Sequence, residues 1–140
     1  MRRRLILGLL AGAVCGLAAC SMPSLEGDAE RAAEARALYG DLVEGRDEAL
    51  LARMSSGNDP ATVRAQLPVI RAFAPAGPAP EPRPLGWNAN TGTDGQRHAV
   101  AQEYEYPDRF IRTDVTFLKE GEAWKVESFN VNARMKPGES

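Results

Sequence analysis

Two cysteines are the residues of this 140-residue chain that are best suited to covalent chemistry. Cys15 and Cys20 lie within and at the end of an apolar N-terminal run, and no cysteine follows Cys20. The sequence after residue 20 therefore excludes an internal disulfide and a thiolate metal site. A structural bridge does not account for Cys20, so its thiol is left for a different use.

The residues before Cys20 have the three parts of a secretory signal peptide. Arg2-Arg3-Arg4 come first, an uncharged run extends from Leu5 to Ala19, and small residues stand directly before the cysteine. The run is 15 residues long, which is shorter than the roughly 20 residues that a transmembrane helix needs. An export signal over residues 1–19 is therefore the better interpretation.

Leu17-Ala18-Ala19-Cys20 resembles the lipobox of bacterial lipoproteins, in which the cysteine is acylated and becomes the new N-terminus. The resemblance implies that Cys20 is the lipid-attachment residue, that it carries fatty acyl chains such as palmitate, and that residues 20–27 are a tether. Ser21 implies, by the same resemblance, delivery to the outer membrane, facing the periplasm. Two alternatives stay open: acylation at Cys15, disfavoured because Val14 is β-branched, and a plain signal peptide with an incidental cysteine.

Charge excludes one class of partner. The formal net charge of the whole chain is −2, and removal of residues 1–19 takes away three arginines and no acid, which leaves −5. Nucleic-acid binding depends on the neutralisation of phosphates by basic clusters. We therefore expect no nucleic-acid partner, and we expect anionic lipid headgroups to repel the domain.

The remaining titratable residues do not form an evident catalytic group. His98 is the only histidine, which excludes a multi-histidine metal site, and we expect it near the surface at the start of a strand. Glu103 and Glu105 share a strand face with small residues, and we expect them on the solvent side, because a catalytic carboxylate pair needs a dry site. With no glycine-rich phosphate loop either, the sequence predicts a protein without enzymatic activity, metal or cofactor.

Residues 28 to 73 have apolar side chains at helical spacing. We expect a first helix from Asp28 that ends at Gly45, and a second from Asp47 to about Met54. Asp59-Pro60 predicts the start of a third helix, with aspartate as N-cap and proline in the first turn. We expect Pro68 to break or kink this third helix.

A proline-rich stretch from Ala74 to Pro84 predicts an extended surface segment that is neither helix nor sheet. After it the apolar period becomes two, which is typical of strands. The predicted strands cover residues 85–91, 97–106, 110–119 and 123–132, and residues 135–140 are expected to be a polar tail.

The last of these strands cannot be regular along its whole length. Trp124 and Val126 share one parity, whereas Phe129 and Val131 share the other. A straight strand would leave one pair in water, so we predict a β-bulge near Glu127-Ser128.

This order of elements predicts an α+β domain over residues 28–134, in which N-terminal helices pack on a curved four-stranded antiparallel meander. Together with Gly121-Glu122-Ala123-Trp124-Lys125-Val126, it resembles the cystatin-like, nuclear-transport-factor-two-like superfamily. The resemblance implies a cone whose open end can hold a small ligand. Relatives that resemble ketosteroid isomerase use a buried aspartate base inside the cone. Asp114 is expected on the solvated face here, and a shared fold does not confer an activity.

Trp87, Gln102, Tyr104 and Trp124 are the candidate pocket residues. Their side chains either pack as core and edge or line a pocket for an apolar ligand, with Gln102 and a tyrosine hydroxyl as orienting groups. Asparagines alternate along the outer strands, at Asn88, Asn90, Asn130 and Asn132. They are either exposed polar side chains, a hydrogen-bonding ladder or an edge to which a partner docks.

Three functions follow from these observations. The preferred one is a non-enzymatic, membrane-anchored lipoprotein whose domain binds a periplasmic protein or envelope component. The second is a carrier or sensor of a small apolar ligand held in the cone pocket. The third, and least favoured, is an isomerase- or hydratase-like enzyme.

Overall fold

The computed structural model describes residues 25–138, with side chains from residue 28 onward. The predicted signal peptide, Cys20 and most of the predicted tether lie outside the described residues, as do the last two residues of the tail. The described chain contains three helices followed by four strands. They are α1 (Leu25–Val43), α2 (Asp47–Arg53), α3 (Pro60–Arg71), β1 (Arg83–Gly92), β2 (Gly95–Glu105), β3 (Arg109–Glu120) and β4 (Ala123–Met135).

The four strands form one antiparallel sheet in the order β1-β2-β3-β4. This arrangement confirms the predicted α+β class and the predicted meander. Alternate residues of β2 and β3 are buried, as the period of two predicts, and pack against the helices. The buried apolar side chains of these two strands are Val100, Tyr104, Ile111, Val115 and Phe117.

Helix α1 supplies most of the helical side of the core. Ala35, Leu38 and Leu42, at spacings of three and four, are fully buried. The helix begins at Leu25 rather than at Asp28, so residues 25–27 belong to it and not to an extended tether. Its end is as predicted, because Gly45 has a φ of 73°, the left-handed conformation that closes helices.

Helix α1 runs in the same direction as β2. Near its start, the Asp28 carboxylate faces His98, and near its end Tyr39 stacks on Tyr104. The beginning of α1 therefore lies at the end of the sheet that holds the β1–β2 turn. Within residues 25–138, no helix is long and apolar enough to cross a membrane.

Helix α3 starts as predicted but does not stop at its proline. The Asp59 side chain accepts a hydrogen bond from the Thr62 backbone N–H at 2.9 Å. Pro68 lies inside the helix, which continues to Arg71. One missing N–H near the end of a helix is a local loss, and Arg71 Nε, bonded to the Leu42 carbonyl at 2.7 Å, holds the last turn against α1.

Strand β1 differs most from its prediction. Every residue of it is exposed, including Leu85 at 38% and Trp87 at 46%, although their alternation suggested a buried face. It begins at Arg83, so the last two residues of the proline-rich segment pair with β2. An edge strand tolerates Pro84, because one side of its backbone has no neighbour.

The predicted β-bulge is present in β4. Thr116 pairs with Ser128, but the next residue, Phe117, pairs with Val126. Glu127 is therefore the extra residue, and the bulge turns both apolar pairs of the strand toward the helices. The strand also runs to Met135, beyond the predicted end at Asn132.

Candidate functional site

His98 is buried at the end of the sheet where α1 begins. Only 6% of its surface is exposed, so the expected surface position was wrong. Strand β2 starts at Gly95, and His98 therefore lies well inside it, on the same face as Val100. The Trp87 ring stacks on the imidazole with centroids 5.4 Å apart, and the Trp124 ring meets it edge-on at 6.4 Å.

The imidazole faces a carboxylate without a proper hydrogen bond to it. His98 Nε2 lies 3.6 Å from Asp28 Oδ1, which is too far for a hydrogen bond. Among the residues that the structure describes, neither His98 Nε2 nor Asp28 Oδ2 has a partner, and both atoms are buried. Buried polar atoms without partners are rare and costly in folded proteins.

The surroundings keep the imidazole uncharged. Burial lowers the pKa of His98; the Asp28 carboxylate raises it, and Arg31 lowers it further. The net effect places the pKa below the usual value of about 6.5. At neutral pH the site therefore contains a neutral imidazole beside a carboxylate.

Arg31 closes the site on the helix side. It is only 7% exposed and donates hydrogen bonds to Glu34 at 2.9 Å and Glu30 at 3.1 Å. Its guanidinium carbon lies 5.4 Å from the centre of the Trp124 ring and 5.8 Å from that of Phe117, within cation–π range. The charge of Arg31 is thus already engaged by carboxylates and rings.

A pocket of about 320 Å³ lies beside these groups. It is lined by Asp28, Arg31 and His98 (the inner wall), by residues 89–91 of β1 (the β1 lip), and by Glu30, Gln96, Arg97 and Trp124. The pocket therefore joins the start of α1 to the exposed edge strand.

The four residues predicted to line a pocket are divided between two places. Trp87 and Trp124 flank His98, as described above. Gln102 and Tyr104 lie beneath α1, where the Tyr104 hydroxyl donates to Gln102 Oε1 at 3.2 Å and Gln102 Nε2 donates to the Ala32 carbonyl at 3.0 Å. Tyr104 also stacks on Tyr39 with ring centroids 4.0 Å apart, and burial raises its pKa.

A second groove, of about 430 Å³, lies between α1, α2 and the β3–β4 hairpin. Phe117, Trp124 and Val126 contribute apolar surface to it, and Arg53 and Lys125 also line it. It contains none of the unpartnered buried atoms found at His98.

The carboxylates weighed from the sequence lie on the outer face of the sheet. Glu105 is 67% exposed and pairs with Lys136 at 2.6 Å. Glu103 is only 11% exposed, because Arg83 at 2.6 Å and Arg134 at 3.6 Å cover it. The hydrogen bond from Arg83 lowers the pKa of Glu103. These two acids form outward ion pairs.

Asp114 also lies on the outer face, as expected, where Arg112 binds it through two hydrogen bonds of 2.8 and 2.9 Å. Within residues 25–138, no group of three or more histidine, cysteine, aspartate or glutamate side chains is placed to hold a metal ion.

The two edge strands of the sheet, β1 and β4, differ in their contacts with the rest of the described chain. On β4, the Val126 carbonyl accepts hydrogen bonds from the Ser55 backbone N–H at 2.8 Å and from Asn58 Nδ2 at 3.0 Å. Met54 forms an isolated bridge to the same residue. Among the strands that the structure describes, β1 pairs only with β2, and residues 84–92 contain no charged side chain.

Sequence reasoning missed Asp28 and Arg31 as members of the site. A usable signal was present, because Asp28, Arg31, Ala35, Leu38 and Leu42 follow one another at steps of three and four. Charged residues at the head of an apolar helix face are placed against the sheet along with that face.

These features define, for the described residues, an α+β domain with helices on one face of an antiparallel sheet, a pocket lined by charged and aromatic side chains, and one sheet edge without a pairing partner. Comparison of the chain with protein-family models, with curated proteins and with solved structures found no match.

Proposed function

We propose that this chain is an exported lipoprotein, anchored through an acylated Cys20 and facing the periplasm from the outer membrane, whose domain binds an extended segment of another protein along β1. The segment adds a fifth strand to the sheet. The observation that carries the proposal is the contrast between the two sheet edges. The proposed activity is binding, without catalysis.

An open edge strand presents unpaired backbone N–H and C=O groups to any other strand. Proteins usually block such edges with charges, bulges or covering loops. Here β4 has all three, in Lys125, the bulge at Glu127 and the loop containing Ser55. Strand β1 has an irregularity at Pro84–Gly86. From Trp87 to Gly92 it has no charge, no bulge and, among the described residues, no segment paired to its outer side.

The side chains of β1 suit a partner of low charge. Leu85 and Trp87 offer exposed apolar surface, and main-chain hydrogen bonds supply affinity in strand addition while side-chain pockets supply specificity. The occupant that we propose is therefore an extended, largely uncharged segment whose residues alternate between the two faces of the sheet.

A second copy of this chain fits the edge less well. A closed pair of identical β1 strands is antiparallel, so the two α1 helices would begin at opposite ends of the joined sheet. Only four residues lie between Cys20 and Leu25, and the five Cα–Cα steps that join them span at most about 18 Å. Two anchors pointing to opposite ends are hard to place in one membrane surface with so short a connection.

The finer fold relationship, to the cystatin-like and nuclear-transport-factor-two-like superfamily, is also part of this proposal. It is supported by the order of helices and strands and by the position of Gly121 to Val126 at the β3–β4 hairpin.

The carrier function is the second candidate, because the groove beside Phe117 and Trp124 has apolar lining. The packing between α1 and the middle of the sheet gives the carrier function less support. There the side chains of Tyr39, Gln102 and Tyr104 contact one another directly and are buried.

Anchoring is tested by comparing Cys20→Ala with Cys15→Ala in cells that receive a labelled fatty acid. We expect label and membrane association to be lost in the first variant and retained in the second. Label retained by Cys20→Ala would contradict the anchor.

Edge binding is tested with a photo-crosslinking residue at position 88 on β1 and, as a matched control, at position 130 on β4. Both positions are exposed asparagines on edge strands. We expect crosslinks to a second protein at position 88 only, mapped to an extended segment, and we expect Asn90→Lys to remove them. Crosslinks between copies of this chain, or equal crosslinks at both positions, would contradict the proposal.

A further inference from the structure

We propose that the pocket at His98 binds an organic cation, namely an alkyl chain that ends in a primary ammonium or guanidinium group. The inference stands on the pocket itself and does not depend on a partner at β1.

Two polar side chains of the inner wall have hydrogen-bonding capacity that the described residues do not use. Asp28 Oδ2 and His98 Nε2 are buried without partners among residues 25–138, and the 3.6 Å gap between the two side chains leaves them unable to satisfy each other. An ionised carboxylate only accepts hydrogen bonds. A ligand group that bonds to Asp28 Oδ2 must therefore donate, as ammonium and guanidinium groups do.

The charges around the pocket also favour a cation. The basic groups of the pocket are already paired: Arg31 bonds to Glu30 and Glu34, and Arg97 bonds to Glu127 through two hydrogen bonds of 2.8 Å. Asp28 is the charged group of the inner wall without an arginine partner among the described residues. Residues 89–91 of β1 add no charge, and Lys119 lies 5.9 Å from the Trp124 ring centre. The four charged residues that line the pocket balance one another. When the partners Glu34 and Glu127 and the neighbouring Lys119 are counted as well, four acids face three bases.

The volume and the lining of the pocket suit an alkyl chain. The volume of about 320 Å³ is far larger than the ~30 Å³ that one water occupies, so the pocket has room for an alkyl chain with its head group. Trp124 supplies an apolar wall for that chain.

The neutral state of His98 favours this cation. Asp28, Glu30 and Arg31 of α1 and Arg97 of β2 are the charged groups that line the pocket with it. Protonation of the imidazole would place a positive charge beside Asp28 and repel a cationic head group. His98 becomes charged only below the usual histidine pKa of about 6.5. Cation binding should therefore weaken as the pH falls below that value.

The test uses n-butylammonium as the probe, with n-butanol as its uncharged control of similar size. His98 is the only histidine, so its imidazole signals in NMR report on this pocket alone. We expect n-butylammonium to shift these signals in a saturable manner and to bind more weakly at acidic pH. We expect n-butanol to shift them far less.

Asp28→Asn keeps the shape of the side chain and removes its charge. We expect it to weaken n-butylammonium binding by about 10- to 100-fold, the effect of a lost hydrogen bond to a charged group. Glu48→Gln, an exposed carboxylate on α2, should leave the affinity unchanged. If Asp28→Asn does not fold, the comparison with n-butanol and the pH series still decide the matter.

The cation could be free or part of a protein. A capped Ala-Lys-Ala peptide offers the same ammonium on a backbone that can also reach the β1 lip. Tighter binding of the peptide than of n-butylammonium would identify a lysine side chain as the natural ligand, and equal binding would identify a free amine. Equal shifts with n-butanol, or an affinity unaffected by Asp28→Asn, would overturn the proposal.

Discussion

The hydroxyl oxygens of Tyr39 and Tyr106 lie 2.9 Å apart and are hydrogen-bonded in the interior of the protein. One ring belongs to α1, and the other lies directly after β2. Tyr39 is fully buried, and Tyr106 is 6% exposed. Burial and the contact with Tyr106 raise the pKa of Tyr39, so Tyr39 stays uncharged at physiological pH. The hydrogen bond fixes the end of α1 against the sheet.

The Tyr39–Tyr106 bond should appear as a coupling energy between the two sites. Tyr39→Phe leaves the Tyr106 hydroxyl without its partner, and we expect a loss of about 1–3 kcal/mol in the free energy of unfolding. Tyr106→Phe should act similarly, and the double variant should lose clearly less than the sum. Urea denaturation measures all three. Strict additivity of the two losses would show that the contact contributes nothing specific.

Thr113 offers a substitution that should not destabilise the protein. Its hydroxyl is fully buried on β3 and has no partner among residues 25–138. Thr113→Val keeps the side-chain shape and removes the unsatisfied group, so we expect unfolding free energy to stay equal or to rise by up to about 1–3 kcal/mol. Val115→Thr, two residues along the same face, is the matched control and should lower it. A marked loss in Thr113→Val, measured by urea denaturation, would reveal a hydrogen bond to that hydroxyl.

Acid should destabilise the domain partly through His98. Because the pKa of His98 is lowered in the folded state, the unfolded chain binds more protons at mildly acidic pH. The stability that the uncharged His98 contributes is therefore intact well above pH 6.5. It begins to be lost as the pH falls through about 6.5, and it is fully lost below the pKa of His98 in the folded state. Thermal unfolding of the wild type and of His98→Gln across this range measures it. An unchanged pH dependence in the variant would contradict the assignment.

Deletion of Glu127 should be far more damaging than its replacement. Without the extra residue, Trp124 and Val126 cannot face the helices together with Phe129 and Val131. Loss of burial costs about 1.5–3 kcal/mol per large apolar side chain, so we expect the deletion to lower the unfolding free energy by several kcal/mol. Glu127→Gln, which keeps the bulge and weakens only the ion pair with Arg97, should lose at most about 1 kcal/mol. Calorimetry of the two variants measures the difference, and equal losses would argue against the bulge as the cause.

The sequence was a good guide wherever one residue pattern determines one structure. The alternation along β2 and β3, the capping aspartate Asp59 and the terminal glycine Gly45 are local signals, and the structure confirms each. The clash of parities in β4 was equally informative, because only an extra residue can reconcile Val126 with Val131.

The failures concern properties that depend on distant parts of the chain. The alternation in β1 looked like that of a half-buried strand, but every residue of β1 is exposed, because the burial of a ring such as Trp87 depends on what lies above it. His98 looked peripheral, yet α1 closes over it with Asp28. A pattern in one segment cannot show which other segment lies against it, so the pairing of Asp28 with His98 was not predictable from either segment alone.

The intact mass of the protein purified from bacterial membranes tests the anchoring of the domain most directly. We expect a chain that begins at Cys20 and carries additional mass from covalently attached acyl chains. A mature chain with an unmodified Cys20 thiol, or one that still contains residues 1–19, would contradict it.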